Sequence, residues 1–326
     1  MHLVGDIGGT HTRLSLVDPT GRTVRRQDLE SRRFPSLEEA IRTFLGKEGP
    51  SFKVRVAVFG VAGVVVGGRV KTTNLPWVVD AKTLSRRLSI KRVTLLNDLV
   101  ALALGTLGVS SRKLHVLGHA GAPRRKNANI AVLGAGTGLG EAMLVWNDGR
   151  YIPSATEGGH ADFAPRDEVE VELLQFLRAR FGHVSWERIL SGNGLGNVYD
   201  FFCQGRGVAE SSENVRAIAT AADRNAAISE LGLAGGSQAA SQAVELFATI
   251  YGAEAGNLAL KTLALGGVYV TGAIASRLLP VLDRGGFRRA FADKGRFVPL
   301  MEKIPVAVVL DPDIGLAGAA RVALGV

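Results

Sequence analysis

Apolar and polar residues alternate along this chain with two periods, and the changes of period separate strands from helices. In "VGDIGGTHTRLSLVD" Leu14 and Leu16 alternate with Arg13 and Ser15 just after a glycine pair. That is the period-two pattern of a half-buried strand following a tight turn. "SLEEAIRTFLG" opens with Ser36 and Glu39 in capping-box spacing and continues with apolar residues at helical intervals, so it predicts a helix. "VRVAVFGVAG" and "RVTLL" are short, β-branched and apolar, and read as strands near the centre of a sheet. Strands first, then strand and helix in turn, predict a mixed α/β sheet.

After Lys126 the pattern restarts with "NIAVLGAGTGLGEAMLVW", again strand, glycine turn and strand. Aligning Gly9-Thr10 with Gly136-Thr137 sets Leu14 against Glu141 and Leu16 against Met143. The likeness is therefore local, yet it suggests two related halves. "VEVELLQFLRARF", "SENVRAIATAADRNAAISEL" and "AVELFATIYGAEAGNLALKTLA" have helical spacing and abundant alanine, so the middle reads as largely helical. "GGVYVTGAI" and "IPVAVVL" return to strand, and "GLAGAARVAL" reads as a final helix. No Pro-rich linker marks a division, so a boundary near residue 110 rests on the restart alone.

Composition narrows the picture. A chain of 326 residues, 46% hydrophobic, is long enough for its core to divide, which predicts two domains. The formal charge of +9 suits an anionic partner such as a nucleotide. The basic residues come in scattered short groups (Arg25-Arg26, Arg32-Arg33, Arg86-Arg87, Arg124-Arg125-Lys126) with acids between them and no aromatic platform. They read as a solvated surface, not as a nucleic-acid site. The single cysteine, Cys203, can form neither an internal disulfide nor a thiolate zinc cluster, which fits a reducing compartment. The chain enters a strand pattern at His2-Leu3-Val4, without the features of a signal peptide. Glycine and arginine interrupt "VAVFGVAGVVVGGRV" well short of the roughly 20 residues a membrane span needs. The expectation is a cytoplasmic protein with no membrane partner.

A glycine turn between strands leaves backbone N–H groups uncovered and lets phosphate oxygens approach closely. One such turn is an ordinary hairpin; two, each with a threonine beside the glycine, suggest two phosphate clamps facing each other across a cleft. Thr10 and Thr137 add hydroxyl donors, and only the first copy carries an acid, Asp6, which would face a nucleotide's Mg²⁺ through water. A Walker loop is absent, and strand follows each turn where a dinucleotide fingerprint requires helix. "TLLNDLVALALG" puts Asn97 and Asp98 between a strand and an apolar helix. Both are good N-cap residues, while a carboxylate at the C-terminal edge of a strand also faces the crevice where α/β sheets bind ligands and can accept a hydroxyl proton. "SATEGGHADF" sets Glu157 and His160 three apart, and "SWERILSGNG" supplies Glu187. Taken singly these are surface or turn residues, and EGGH lacks the further ligands of a zinc site. Polar groups on loops are also what a hydroxyl-rich sugar requires.

Taken together, "VGDIGGTHTRLSLVD", "LLNDLVALALG", "IAVLGAGTGLGEAML", "EGGHADFAP", "ERILSGNGLGNVYDF" and the segments from "GNLALKTLALGG" to "LDPDIGLAGAA" resemble, in order, the bacterial glucokinases of the sugar-kinase, Hsp70 and actin superfamily. The resemblance implies a two-domain actin-like (ribonuclease H-like) ATPase fold with an interdomain cleft. Its small domain would run from residue 1 to about 110 and be completed by the helix at about 312–326, with the large domain at 111–311. It implies ATP-dependent phosphorylation of the glucose 6-hydroxyl with Asp98 as base. Asn97, Glu157, His160 and Glu187 would hydrogen-bond to the sugar. Asp6, Gly8, Gly9 and Thr10 would meet phosphate and magnesium, Gly134, Ala135, Gly136, Thr137 and Gly138 the second phosphate side, and Gly272 the adenosine. Family members are commonly homodimers. His11 stands where the family usually has Asn, and Gly272-Ala273 where it usually has a glycine pair. The repressor branch's cysteine cluster is absent. Another hexose such as mannose, a sugar-sensing regulator and a scaffold ATPase are the competing readings.

Overall fold

The computed structural model describes residues 1–46, 53–123 and 127–326. The Arg124-Arg125-Lys126 group lies outside them. The chain forms two compact units, one of Met1–Ser110, Pro153–Ala155 and Asp311–Val326, the other of Ser111–Ile152 and Thr156–Leu310.

In the first unit β1 (His2–Ile7) and β2 (His11–Val17) make a hairpin that β3 (Thr23–Glu30) extends. Helix α1 (Leu37–Leu45) starts where the sequence predicts, with the Ser36 hydroxyl accepting the Glu39 N–H. There follow β4 (Val56–Val61), the short pair β5 (Arg69–Lys71) and β6 (Val78–Asp80), α2 (Ala81–Arg87), β7 (Arg92–Asn97) and α3 (Asp98–Thr106). The main sheet has the order β3-β2-β1-β4-β7, antiparallel through the hairpins and parallel from β1 to β7.

Two expectations change here. "RVTLL" becomes β7, which is an edge strand and not a central one; of its residues only Leu95 is buried. Strand β2 is not half-buried, because Ser15 is as buried as its leucine neighbours. The cause is that both faces of the sheet are covered. Leu14 and Leu16 join one apolar cluster with Phe44 and Phe59, while Val4, Val17 and Val58 pack on the other face against Leu316 and Ala319. Ser15 meets this burial by donating its hydroxyl to the Arg25 carbonyl at 3.2 Å.

Leu316 and Ala319 lie on the last helix (α13, Ile314–Leu324, as numbered along the chain), and glycines set how near it comes to α3. A Cβ on Gly318 would lie 1.7 Å from the Ala101 carbonyl oxygen, and one on Gly105 2.1 Å from that of Ile314.

The second unit contains β8 (Leu114–Val116), β9 (Ile130–Ala135), β10 (Leu139–Asn147), all of β11 (Arg150–Thr156) but Pro153–Ala155, α4 (Glu168–Phe181), α5 (Gly192–Asp200), α6 (Ser212–Thr220) and α7 (Arg224–Ala234). Then come α8 (Gln238–Thr262), β12 (Gly267–Thr271), α9 (Ala273–Arg277), α10 (Leu279–Leu282), α11 (Gly286–Ala292), α12 (Val298–Met301) and β13 (Val306–Val309). The stretch "SENVRAIATAADRNAAISEL" is two helices, broken at Ala221, whose backbone is extended, and restarted by the Asp223 side chain, which caps α7. The sheet order is β11-β10-β9-β12-β13-β8, with β9, β12 and β13 parallel. A three-strand run entering two parallel strands thus occurs in both units, and the restart in the sequence is a restart of topology. Helix α8 is buried along most of its length, and Gly252 and Gly256 let α11 approach it: a Cβ there would lie 2.1 and 2.5 Å from the carbonyls of Phe287 and Phe291.

In each described basic pair at least one arginine is engaged within the protein. Arg26 reaches Asp28 and Asp313, Arg33 reaches Glu30, Arg87 reaches Glu38, and Arg25 lies over the Phe44 ring. Among the described residues no helix is long and apolar enough to cross a membrane.

Candidate active site

The two glycine turns share a plan but not a register. The first hairpin pairs Ile7 with Thr12 and leaves Gly8, Gly9, Thr10 and His11 at the tip. The second pairs Ala135 with Leu139 and leaves only Gly136, Thr137 and Gly138. Gly134 and Ala135 therefore belong to strand β9 and not to the turn.

Not every N–H at these tips is available. Gly8 donates to the His11 carbonyl at 3.0 Å and Gly136 to that of Gly138 at 2.8 Å. The N–H groups of Gly9, Thr10, Thr137 and Gly138 make no hydrogen bond among the described residues, and both threonines are exposed. Those four donors, with the threonine hydroxyls, are the anion-binding capacity of the turns. Around the first, the Ser31 hydroxyl donates to the Gly8 carbonyl and the Ser31 N–H to that of Thr10, which holds the tip in shape.

Asp6 stands directly across the hairpin from Arg13, whose Nη1 donates to Asp6 Oδ2 at 3.0 Å. Arg13 also faces Asp28, and Arg26 joins Asp28 to Asp313, so acids and arginines alternate from β1 to the start of α13. Burial pushes the Asp6 carboxyl up from its ordinary range, and Arg13 works in the opposite direction. No group of three or more metal-ligating acids, histidines or cysteines occurs among the described residues. One acid with one oxygen already engaged suits a hard Mg²⁺ ion that keeps its waters and takes most other ligands from phosphate.

Asn97 and Asp98 divide the two roles open to them. Asn97 is the N-cap of α3: its Oδ1 accepts the Leu99 and Val100 N–H groups at 3.0 and 3.3 Å, and its Nδ2 donates to the Gly63 carbonyl. Asp98 is the first residue of the helix, half-buried at the C-terminal end of a parallel strand, and its Oδ1 accepts the Leu99 N–H at 3.0 Å.

In the second unit, Glu157, His160 and Glu187 come together. His160 Nε2 is 4.0 Å from Glu157 Oε2, and its Nδ1 is 4.0 Å from Glu187 Oε1. Glu157 and His160 bracket a short 3₁₀ turn that is exposed on its outer side. The other oxygen of Glu187 accepts the Leu139 N–H at 2.9 Å, at the exit of the second glycine turn. A Cβ on Gly138 would lie 2.2 Å from that oxygen, so a side chain there would have to displace the carboxylate. The Glu187 carboxylate thus touches the sugar-type cluster with one oxygen and the phosphate-type turn with the other.

Gly272 follows β12 as the N-cap of α9, with φ +95°, and a Cβ on it would lie 2.5 Å from the Ala135 carbonyl. Exposed Ala273 follows as the first residue of α9, and exposed His11 begins β2. Three participants escape a reading of the sequence. Arg13 is legible once the hairpin register is known. Buried Tyr251, whose hydroxyl accepts the Ala135 N–H, and the Ser31 clasp are not, because their partners are remote in the chain.

Two mixed α/β units, each with a glycine turn, and acids and amides suited to a hydroxyl-rich substrate mark the sugar-kinase class. A glucokinase family model matches residues 3–325. The chain is 39% identical to the glucokinase of Trichormus variabilis over 98% of its own length and 97% of that protein's. It superposes on the crystal structure of a glucokinase from an Antarctic psychrotroph with a TM-score of 0.84 at 30% identity, covering 100% of this chain and 99% of that one. It has the fold of a ROK family glucokinase from Streptomyces griseus in complex with glucose and AMPPNP, with a TM-score of 0.66, 21% identity and coverage of 100% and 99%. The chain belongs to the glucokinase family of ATP-dependent sugar kinases.

Proposed function

We propose that the chain transfers the γ-phosphate of ATP to the 6-hydroxyl of glucose, with Asp98 taking the hydroxyl proton. The observation that carries this reading is the placing of Asp98. It is the first residue of α3, with a rotamer held by the Leu99 N–H, beside an Asn97 that does the capping. The N-cap task that the residue type of Asp98 would otherwise explain falls to Asn97.

Asn97, Glu157, His160 and Glu187 hydrogen-bond to sugar hydroxyls in this reading. Asn97 has one amide hydrogen beyond its bond to Gly63, while Glu157 and His160 present open faces. Gly8, Gly9 and Thr10 form one phosphate-binding turn, and Gly136, Thr137 and Gly138, carried by Gly134 and Ala135, form the other. Gly272 leaves room for the adenosine. Asp6 would hold Mg²⁺ through water; when bound, that ion neutralises charge on the transferring phosphoryl group.

Phosphoryl transfer runs through a loose transition state, so alignment and charge neutralisation supply most of the acceleration. A general base adds about 10²- to 10⁴-fold. The two compact units are the two domains of the enzyme, and homodimeric assembly and a cytoplasmic location go with the family resemblance.

Asp98→Asn keeps the size and the backbone contact of the side chain and removes the base. A coupled assay should find kcat lowered by about 10²- to 10⁴-fold, while calorimetry finds glucose affinity within about threefold of wild type. Near wild-type turnover would remove Asp98 from the reaction.

A further inference from the structure

Behind the turn that carries Glu157 and His160 lies a pair of carboxyls with no role in the chemistry above. Glu141 on β10 and Glu254 on α8 are 2% and 0% exposed. Each has one oxygen, Oε1 in both, that is buried with no hydrogen-bond partner among the described residues. Two carboxylates in contact at such burial do not both ionise; a single proton between them gives the pair a mutual hydrogen bond.

The neighbours decide where the proton sits. Burial raises the Glu254 carboxyl too, but it accepts from Asn257 Nδ2 at 2.8 Å and its Oε1 has Lys261 Nζ at 3.6 Å, both of which work in the opposite direction, so it is the charged half. Glu141 accepts no such hydrogen bond and feels Lys261 only through its charge, so it is the neutral half. Burial, and then the charge of Glu254, push the Glu141 carboxyl up to about 8. Buried Tyr251 on α8 also faces Glu141, and Lys294, with Arg166 and Glu170 beyond it, faces Glu254.

Glu141 presses on the turn itself. A Cβ on Gly158 would lie 2.1 Å from Glu141 Oε2 and 2.9 Å from its Cδ, and one on Gly159 would lie 2.1 Å from the Leu139 carbonyl on the same strand. The glycine pair between Glu157 and His160 is what allows the turn to rest on β10 at these two points. We propose that Glu141 is a positioning residue for sugar binding, holding the Gly158-Gly159 turn, and through it Glu157 and His160, by sharing a proton with Glu254. This rests on the reading that Glu157 and His160 contact the sugar. Loss of the shared proton leaves two repelling carboxylates, and because Glu141 Oε2 lies against Gly158 the repulsion is passed to the turn.

The test is the KM for glucose and for ATP from pH 6.5 to 9.5 in wild type, E141Q, E141A, K294M and H160A. In wild type the glucose KM rises above about pH 8, by up to about tenfold per pH unit, as the competent fraction falls, while the ATP KM stays flat. E141Q, whose amide still donates to Glu254, abolishes the rise and keeps the low-pH value. E141A raises the glucose KM at every pH, and K294M leaves the rise in place. An unaltered alkaline rise in E141Q, its loss in K294M, or a wild-type glucose KM in E141A overturns the proposal. H160A separates the two levels: if it leaves the glucose KM unchanged, the sugar-site reading falls and takes the proposal with it, whereas a raised KM in H160A beside an inert E141A overturns the proposal alone.

Discussion

The two glycine turns are built on the same strand order yet are embedded in opposite electrostatic surroundings. At the first, Asp6 faces Arg13 across the hairpin, and a chain of alternating acids and arginines continues to Asp313. At the second, the residue paired with Leu133 is Glu141, sunk against Glu254, and the strand is fixed from behind by the Tyr251 hydroxyl on the Ala135 N–H. The first turn is a charged surface feature suited to meeting a metal-bearing phosphate. The second is an extension of the core whose exit is held by Glu187, a residue of the sugar-type cluster. The duplicated hairpin supplies backbone donors twice; what differs is the object each copy is wired to.

The sharpest way to break this contrast is Gly138→Ala. A methyl group 2.2 Å from Glu187 Oε2 must displace the carboxylate from both the Leu139 N–H and His160. We expect kcat/KM to fall by about 10²-fold or more, with both KM values raised, because a 1 Å misplacement can cost that much. Steady-state kinetics with both substrates varied checks it. A mutant with only its ATP KM altered would uncouple the second turn from sugar recognition.

A smaller effect is expected from Asp6→Asn. The side chain keeps its volume but loses the charge that faces Arg13 and would face magnesium. The expected outcome is an ATP KM raised by about tenfold and a greater magnesium requirement, with the glucose KM unchanged. Measuring both KM values across a magnesium titration tests it; a change confined to glucose would erase the difference between the turns.

Local signals carried much of this organisation in the sequence. The Ser36 cap, the two hairpins and the strand-to-helix step at Asn97-Asp98 depend on residues within a few positions of one another, where backbone sterics and capping act. What the sequence did not disclose depends on remote partners. Ser15 is buried because α13, almost 300 residues later, covers its face of the sheet. β7 sits at the edge because no further strand among the described residues of the first unit pairs with it, which its apolar content cannot show. The break between α6 and α7 was hidden because alanine and isoleucine spacing runs straight across the Asp223 cap. Of the candidate site, residue types and clustering were legible, and the division of labour between Asn97 and Asp98 was not. It depends on which of two adjacent cap-forming side chains takes the Val100 N–H.

The central claim is that Glu187 ties the sugar-type cluster to the second phosphate turn through the Leu139 N–H. The most direct measurement is the ATP KM of Glu187→Gln at saturating glucose. An amide in that place weakens the charge-assisted bond to Leu139, and the account predicts an ATP KM raised by about tenfold through the Leu139 N–H. An ATP KM equal to wild type, with the glucose KM alone increased, would contradict it.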